Sequence, residues 1–213
     1  MDLPLPEYCE RGLAPEFWAE PINALTNAGF LIVGAFFLAR GWRAGRMDVA
    51  LPAALLICVG IGSFLFHTWR NSFTLLLDAL PIYLFALTAG WLVFRRVFRG
   101  RQWMGVIVAV VLLQVVSLFA PADFLNGSAR HLLAVVTLLA LAPFVSRALG
   151  RVHLIWYLGI VGCYAFAVTM RTIDMALCEG LPMGTHVAWH LGAAAVGFCA
   201  LRLLELLDQE SLP

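Results

Sequence analysis

The sequence predicts an all-α polytopic membrane protein, a bundle of seven transmembrane helices. Of its 213 residues, 62% are hydrophobic and 13% are charged, which leaves too few polar side chains to cover a water-soluble domain of this size. Seven apolar runs follow one another, and each is near the length of about 20 residues at which a helix crosses the hydrocarbon core. We place these spans at 22–39, 48–67, 73–94, 103–120, 130–146, 152–170 and 184–207.

The regions around the spans are short. Residues 1–21 carry five acidic side chains and no long apolar run, so they do not have the pattern of a cleavable signal peptide. We interpret them as an acidic N-terminal cap or a loose tail, and residues 208–213 as a C-terminal tail. Because no repeat, low-complexity tract or long linker divides the chain, we expect residues 1–213 to form a single domain, with spans one to seven filling 22–207.

The positions of the arginines predict the orientation in the membrane. All fourteen basic residues are arginine, and the absence of lysine excludes the seven-helix retinal proteins, which need a lysine for the Schiff base. The connectors after spans one, three and five, with the end of span seven, hold ten of them, and the opposite side holds four. The excess predicts a cytoplasmic C-terminus and an N-terminus outside. The ten are Arg40, Arg43, Arg46, Arg95, Arg96, Arg99, Arg101, Arg147, Arg151 and Arg202; the four are Arg11, Arg70, Arg130 and Arg171.

The last span begins with a pair of histidines, His186 and His190. Residues four apart lie on the same face of a helix, so both imidazoles can reach one metal ion. A pair of this kind is a weak signal by itself, and it lacks the internal glutamate of the HExxH metalloproteases. A third ligand is available at the end of the second span, where His67 closes the segment Ser63–His67.

The predicted topology places these histidines at a common depth. The second span runs outward and ends at His67, the third starts inward and carries Asp78, and the seventh starts inward with His186 and His190. At 1.5 Å per residue, all four side chains and Ser63 fall within about 10 Å of the outer surface. Ionisable side chains inside a span are costly and are candidates for function.

Structural interpretations of the same residues stay open. Asp78 can be a hydrogen-bonding partner of one histidine, and Ser63 can bond to the backbone one turn below His67. A single histidine at a helix end is usually an interfacial or hydrogen-bonded residue, which is how we interpret His131 and His153. His131 lies on the same side as the candidate ligands and is also an alternative ligand or substrate contact.

Several segments of the chain resemble the alkaline ceramidases and their wider superfamily of seven-helix lipid hydrolases, which includes adiponectin-receptor-like proteins. Together these segments reach from the N-terminus to the last span. They are the SFLFH segment Ser63–His67 with Asp78 eleven residues after its histidine, the late HxxxH pair, the entry segment Ala19–Asn27, the acidic motif Glu7–Glu10, and Ile173–Cys178.

The resemblance implies a zinc-dependent integral-membrane amidase that hydrolyses ceramide, a membrane lipid, to a fatty acid and a sphingoid base. It assigns zinc to His67, His186 and His190, proton transfer to Asp78, and a place beside the reacting carbonyl to Ser63. These residue types suit those roles, since three neutral imidazoles leave one zinc position for water and a carboxylate can move the proton of that water.

The resemblance also implies a calcium ion bound by the cap. Glu7, Glu10 and Glu20 occupy the matching positions, and carboxylates are the hard oxygen ligands that calcium prefers. The match departs from the family pattern at Glu7, Tyr8 and Gly12, where aspartate, tryptophan and asparagine are usual. In the alternative interpretation these acids are solvated and balance Arg11.

Two of the five cysteines lie outside the spans, on the side predicted to be oxidising. We therefore predict a disulfide between Cys9 and Cys178, which ties the cap to the loop before the last span. Cys58, Cys163 and Cys199 lie within apolar runs, where we expect inert, buried thiols.

Two alternatives to the ceramidase remain at this stage. One is a hydrolase of another N-acyl or ester lipid, and the other is a receptor-like seven-helix protein that binds a lipid without hydrolysing it. Ser63 and Asp78 favour an enzyme, because a structural zinc site more often fills its fourth position with a protein ligand. The lysine-free composition suggests a GC-rich bacterial host, and hence a bacterial inner membrane with the site near the periplasmic face.

Overall fold

The computed structural model describes residues 5–12, 17–117, 119–121 and 124–207, and within these ranges it contains helices and turns but no strand. The helices are α1 (Pro21–Thr26), α2 (Ala28–Arg43), α3 (Met47–Trp69), α4 (Ser72–Val97), α5 (Gln102–Ser117), α6 (Ala129–Ala148), α7 (Arg151–Ile173) and α8 (His186–Leu207).

The prediction of seven apolar helices is confirmed. Helices α1 and α2 are separated at Asn27 and together form one candidate span, Pro21–Arg43. Five further helices, α3, α4, α6, α7 and α8, are also long and apolar enough to cross a membrane. Helix α5 is apolar but has 16 residues, shorter than the fourth predicted span, whose residue 118 lies outside the described ranges. The predicted tail 208–213 also lies outside them.

The last helix begins two residues later than the sequence predicted, at His186 instead of 184. Gly184 has a positive φ of 69°, a backbone conformation that glycine adopts without the steric penalty of a side chain. A Cβ at this position would also lie 2.2 Å from the Asp174 carboxylate. The close contact with Asp174 therefore delays the start of the helix.

Helices α3 and α8 form the centre of the bundle, and more of each is buried than of any other span. Their apolar side chains interlock in the core; Leu56 packs so close to Gly197 that a Cβ there would lie 2.7 Å from it. The cap, which we define as residues 5–12 and 17–20, lies at the end of the bundle where α3 ends and α8 begins. We call this end the cap face.

A tight turn joins α3 to α4 at the cap face. Arg70 ends α3 in a left-handed conformation with φ of 42°, and Asn71 then caps α4. The Asn71 side chain accepts a hydrogen bond of 2.9 Å from the Thr74 amide, and the Thr74 hydroxyl lies 3.1 Å from the Asn71 amide, which completes a capping box. The two helices are antiparallel neighbours as a result, and the end of α3 stays level with the start of α4.

Gly62 allows α3 and α4 to touch backbone to backbone. A Cβ on Gly62 would lie 1.9 Å from the Leu77 carbonyl oxygen and 3.1 Å from the Asp78 amide nitrogen. Small residues permit such close helix packing in membranes. The contact brings Ser63, the next residue on α3, alongside Asp78 on α4.

We predict that Gly62→Ala destabilises the protein by about 1–3 kcal/mol, the usual range for overpacking, because the methyl group must push α4 away. Gly162→Ala on α7 is the matched control, since a Cβ there meets nothing within 4 Å. Alanine should leave stability equal or slightly higher at this helical site. Thermal unfolding of both variants in the same detergent measures the difference, and equal melting temperatures would contradict the close-contact argument.

Candidate metal centre

Three histidine side chains meet just inside the cap face. His67 lies in the last turns of α3, and His186 and His190 lie in the first turns of α8. Each is 1% exposed, and one ligand nitrogen from each lies within 4.8 Å of the others. The structure therefore brings together the three histidines that the sequence analysis selected.

A buried carboxylate orients the His67 ring. Glu20 is fully buried, and its Oε2 atom lies 2.5 Å from His67 Nδ1. Burial alone would raise the pKa of Glu20, but the hydrogen bond and charge of His67, together with the hydrogen bonds from Arg11 and Arg70, lower this pKa to about 2. Glu20 is therefore a carboxylate that accepts the Nδ1 proton, which leaves the Nε2 lone pair of His67 for a metal.

A hydroxyl group orients the His190 ring in the same way. The Thr26 hydroxyl donates to the Asn23 carbonyl oxygen over 2.9 Å, and Thr26 Oγ1 lies 2.9 Å from His190 Nδ1. Because the hydroxyl proton is already used, Oγ1 accepts the proton on Nδ1. The hydrogen-bond network thus assigns the Nε2 lone pair of His190 to the centre as well.

His186 has a nitrogen without a partner. Its Nδ1 atom is buried and has no hydrogen bond in the described part of the chain, and its ring stacks on Tyr8 with centroids 3.8 Å apart. Buried polar atoms are usually paired. Three buried imidazoles with ligand nitrogens within 4.8 Å of one another, two of them with a committed Nδ1, fit a transition metal with nitrogen ligands, of which zinc is the common example.

Asp174 fixes the start of α8, and the sequence analysis assigned it no role. Its Oδ1 atom accepts hydrogen bonds from the amides of Thr185 and His186 over 2.6 and 2.9 Å. Its Oδ2 atom accepts a hydrogen bond of 3.1 Å from the Cys9 amide. This fully buried carboxylate compensates unpaired amides at the helix N-terminus and holds His186 in place. The one sequence feature that could have indicated this role is an acid placed between an apolar span and a short glycine-containing loop.

The cap is fastened directly over the histidines. Cys9 and Cys178 form a disulfide with Cα atoms 5.2 Å apart, so the structure joins the two cysteines that we had paired. Next to Cys9, the Tyr8 ring is stacked on His186 and tilted against His67, with a centroid distance of 5.2 Å to the latter. The remaining cysteines are free, but of the three thiols expected to be buried only Cys199 is, since Cys163 is half-buried and Cys58 is exposed on its helix.

Ser63 and Asp78 lie beside the centre. Ser63 lies one turn before His67 on α3, and the close contact at Gly62, where a Cβ would lie 3.1 Å from the Asp78 amide nitrogen, places Asp78 on the neighbouring helix at this level. Asp78 is half-buried and does not belong to the group of converging metal ligands. A carboxylate in this position can accept or donate a proton next to a metal without occupying a coordination position.

The three glutamates predicted to bind calcium have different surroundings. The Glu10 carboxylate accepts hydrogen bonds of 2.6 and 2.7 Å from the amides of Ile22 and Asn23 at the start of α1. Burial nevertheless raises the pKa of Glu10 above its usual value. Glu7 is exposed. Glu20 accepts from Arg11 Nε over 2.5 Å and from Arg70 Nη1 over 2.8 Å, in addition to its contact with His67.

These contacts do not fit a calcium ion held by the three carboxylates. Both Glu10 oxygens and both Glu20 oxygens already accept N–H donors, and two of the donors are guanidinium cations that would repel a divalent cation. Within the described residues, the glutamates do not form a converging metal-ligand group. The contacts around Glu20 therefore argue against the calcium ion that the resemblance implied.

The comparisons with known proteins give one family. The sequence model of the family described as Ceramidase matches residues 6–212, nearly the whole chain. The match includes the cap from residue 6 onward, all the helices and each of the candidate site residues named above. The comparison with curated proteins gave no match.

We predict that Glu20→Gln lowers the metal affinity by about 10- to 100-fold, the usual effect of losing a carboxylate that orients a histidine ligand. Competition with a zinc chelator of known affinity measures the change. Glu205→Gln is the matched control, because Glu205 pairs with Arg40 and Arg202 at the opposite end of the bundle. Equal affinities for the two variants would contradict an orienting role for Glu20.

We further predict that calcium does not change the melting temperature of the wild-type protein, because guanidinium groups already neutralise Glu20. Thermal unfolding is measured in EGTA and in millimolar calcium, with zinc supplied at constant free concentration. A rise of several degrees in calcium would support the ligand set Glu7, Glu10 and Glu20. Arg11→Gln should lower the melting temperature in both solutions, since it removes one partner of a buried ion pair.

Proposed function

The chain belongs to the ceramidase family, and we propose that it is a zinc-dependent membrane amidase that hydrolyses ceramide to a fatty acid and a sphingoid base. The observation that carries the proposal is the set of three buried imidazoles, two of them with Nδ1 committed to other partners, at the level where Ser63 on α3 and Asp78 on α4 lie on neighbouring helices. An arrangement of three neutral nitrogen ligands with a nearby general base is typical of hydrolytic zinc sites.

His67, His186 and His190 would hold the zinc ion, which when bound would supply Lewis acidity to the attacking water and to the amide carbonyl. The chain contributes the orientation of these ligands. Glu20 and Thr26 fix the tautomers of His67 and His190, and Asp174 fixes the backbone of His186. Preorganised ligands need little rearrangement during the reaction.

Asp78 is the proposed general base and acid. It takes a proton from water as the water oxygen bonds to the carbonyl carbon, and it delivers that proton to the amide nitrogen as the carbon–nitrogen bond breaks. The products are a free fatty acid and an amine. Ser63 is the proposed donor to the carbonyl oxygen on which negative charge develops, and its position one turn before His67 keeps the hydroxyl beside the reacting group.

Tyr8 and the disulfide-linked cap are proposed to shield the reaction from bulk water. The Tyr8 ring is 4% exposed and lies against two of the three histidines. Excluding water strengthens each electrostatic interaction in the site. A lipid amide then reaches the centre from within the bilayer, between helices.

We also propose that the cap face is outside, in the periplasm of a bacterial inner membrane, with the C-terminus in the cytoplasm. The support is the excess of arginines in the connectors at the opposite end of the bundle. The sides of the helices carry exposed apolar residues suited to lipid contact, such as Ile32 at 70% and Leu112 at 59% exposure.

We predict that His190→Ala abolishes both zinc binding and hydrolysis, whereas Asp78→Ala keeps zinc and loses turnover. The first change removes a ligand, and the second removes the proton carrier but no ligand. Zinc content by elemental analysis and fatty-acid release from a panel of N-acyl lipids, each with and without a zinc chelator, measure both effects. Gly162→Ala is the control for purification and handling.

Two outcomes would contradict this assignment. Full activity of Asp78→Ala would show that Asp78 is not the general base. Wild-type activity that resists the chelator would show that the reaction does not need the metal. Hydrolysis of other N-acyl or ester lipids in preference to ceramide would correct the substrate and leave the mechanism in place.

A further inference from the structure

Arg171 is a buried cation that the proposed mechanism does not use. It lies in the last turn of α7, at the cap face, and is 5% exposed. Its Nη1 atom donates to the Tyr8 hydroxyl over 3.2 Å, and its guanidinium carbon lies 5.7 Å from the Tyr8 ring and 5.5 Å from the Trp189 ring. Its Nε atom is buried and has no hydrogen-bond partner among the described residues.

No carboxylate of the described residues lies within the 4.0 Å ion-pair distance of Arg171. A charged side chain inside a membrane span normally pairs with an opposite charge or marks a functional site, and the desolvation of an unpaired ion is expensive. The two aromatic rings offset part of this expense through cation–π contacts. They leave the Nε donor unsatisfied, and a guanidinium group is suited to a carboxylate acceptor.

A second set of donors lies on α6 and α7. Arg130 Nε donates to His131 Nε2 over 3.4 Å, so the proton of a neutral His131 is on Nδ1, which lies 3.0 Å from the Tyr164 hydroxyl oxygen. Since Tyr164 accepts this bond, its own O–H proton remains available. No acceptor for that proton is found in the part of the chain that the structure describes.

These donors are close to the metal centre. The Trp189 ring separates them from it, with centroids 4.8 Å from His131 on one side and 6.4 Å from His186 on the other. Two cations and a free hydroxyl therefore lie around the Trp189 ring, which comes directly before the candidate ligand His190 in the chain: Arg171 and Tyr164 contact the ring, and Arg130 reaches it through His131.

We propose that Arg171, together with Arg130 and Tyr164, forms an anion subsite beside the metal centre that binds a carboxylate of the lipid. The carboxylate belongs either to the substrate headgroup, as in an N-acyl amino acid, or to the fatty acid released by hydrolysis. The subsite deepens the proposed function and rests on it for the reaction, although binding itself requires no turnover.

Direct binding tests the subsite without reference to activity. The metal-loaded protein in detergent is titrated with palmitate and with the neutral palmitamide, and the melting temperature is followed. Palmitate should stabilise the wild-type protein more than palmitamide does. This difference should disappear in Arg171→Gln, remain in part in Arg171→Lys, and stay unchanged in Arg95→Gln, whose guanidinium carbon lies 4.8 Å from the Trp91 ring centroid near the other end of α4.

Kinetics then identify the source of the carboxylate. If it is the substrate headgroup, Arg171→Gln should raise the ratio of KM for N-palmitoylglycine to KM for the neutral C16 ceramide about tenfold or more. If it is the product, the inhibition constant of palmitate against ceramide hydrolysis should rise by a similar factor, with that ratio of KM values unchanged. Tyr164→Phe removes one donor without changing charge and should give a smaller effect in the same direction.

Other outcomes distinguish failure of the subsite hypothesis from failure of the proposed function. Palmitate stabilisation that is equal in wild-type protein, Arg171→Gln and Tyr164→Phe would overturn the subsite, even if ceramide is hydrolysed. A wild-type protein that hydrolyses no lipid would overturn the proposed function, but loss of palmitate stabilisation in Arg171→Gln would still support the subsite. If Arg171→Gln does not fold, Arg171→Lys and Tyr164→Phe provide the same comparison.

Discussion

The buried carboxylate of Glu20 is the interaction on which the cap and the metal centre both depend. It joins His67 at the end of α3 to Arg11 in the cap and Arg70 in the α3–α4 turn. A carboxylate with no exposed surface is stable only when its charge is neutralised by partners. The same contacts therefore hold the cap against the bundle and fix the proton of the first metal ligand.

Asp174 anchors the start of α8 by hydrogen bonds, as Glu20 anchors the end of α3. One of its oxygens holds the first amides of α8, and the other holds the amide of Cys9 in the cap. The disulfide from Cys9 to the loop after Asp174 adds a covalent link to the same corner. Each of the two central helices thus has one candidate ligand held by a buried acid. Glu20, itself a cap residue, bonds to His67 on α3, and Asp174 bonds to the His186 amide on α8 and to the cap at Cys9. The same contacts therefore hold both the cap and the site.

The charges at the cap face divide into two groups with different roles. Arg11 and Arg70 share the carboxylate of Glu20, and their charge is used within the fold. Arg171, which contacts the rings of Tyr8 and Trp189, and Arg130, which donates to His131, form no ion pair with an acid of the described residues. The fold neutralises the first pair, and the second pair is the one for which we propose a ligand carboxylate.

Composition and the length of the apolar runs were sufficient to predict the helices, because a span must be about 20 apolar residues long wherever it occurs. The alternation of span direction likewise placed His67, Asp78 and His186 at one depth before any contact was known. The hydrogen-bonding partners of Glu20 could not be predicted in this way. Its contacts join residues 20, 11, 67 and 70 across three segments, and a carboxylate on a loop has the same sequence signature whether it binds calcium, a guanidinium group or an imidazole. Tertiary packing made that choice, because burial forces an acid to find whichever positive groups the fold brings within hydrogen-bonding distance.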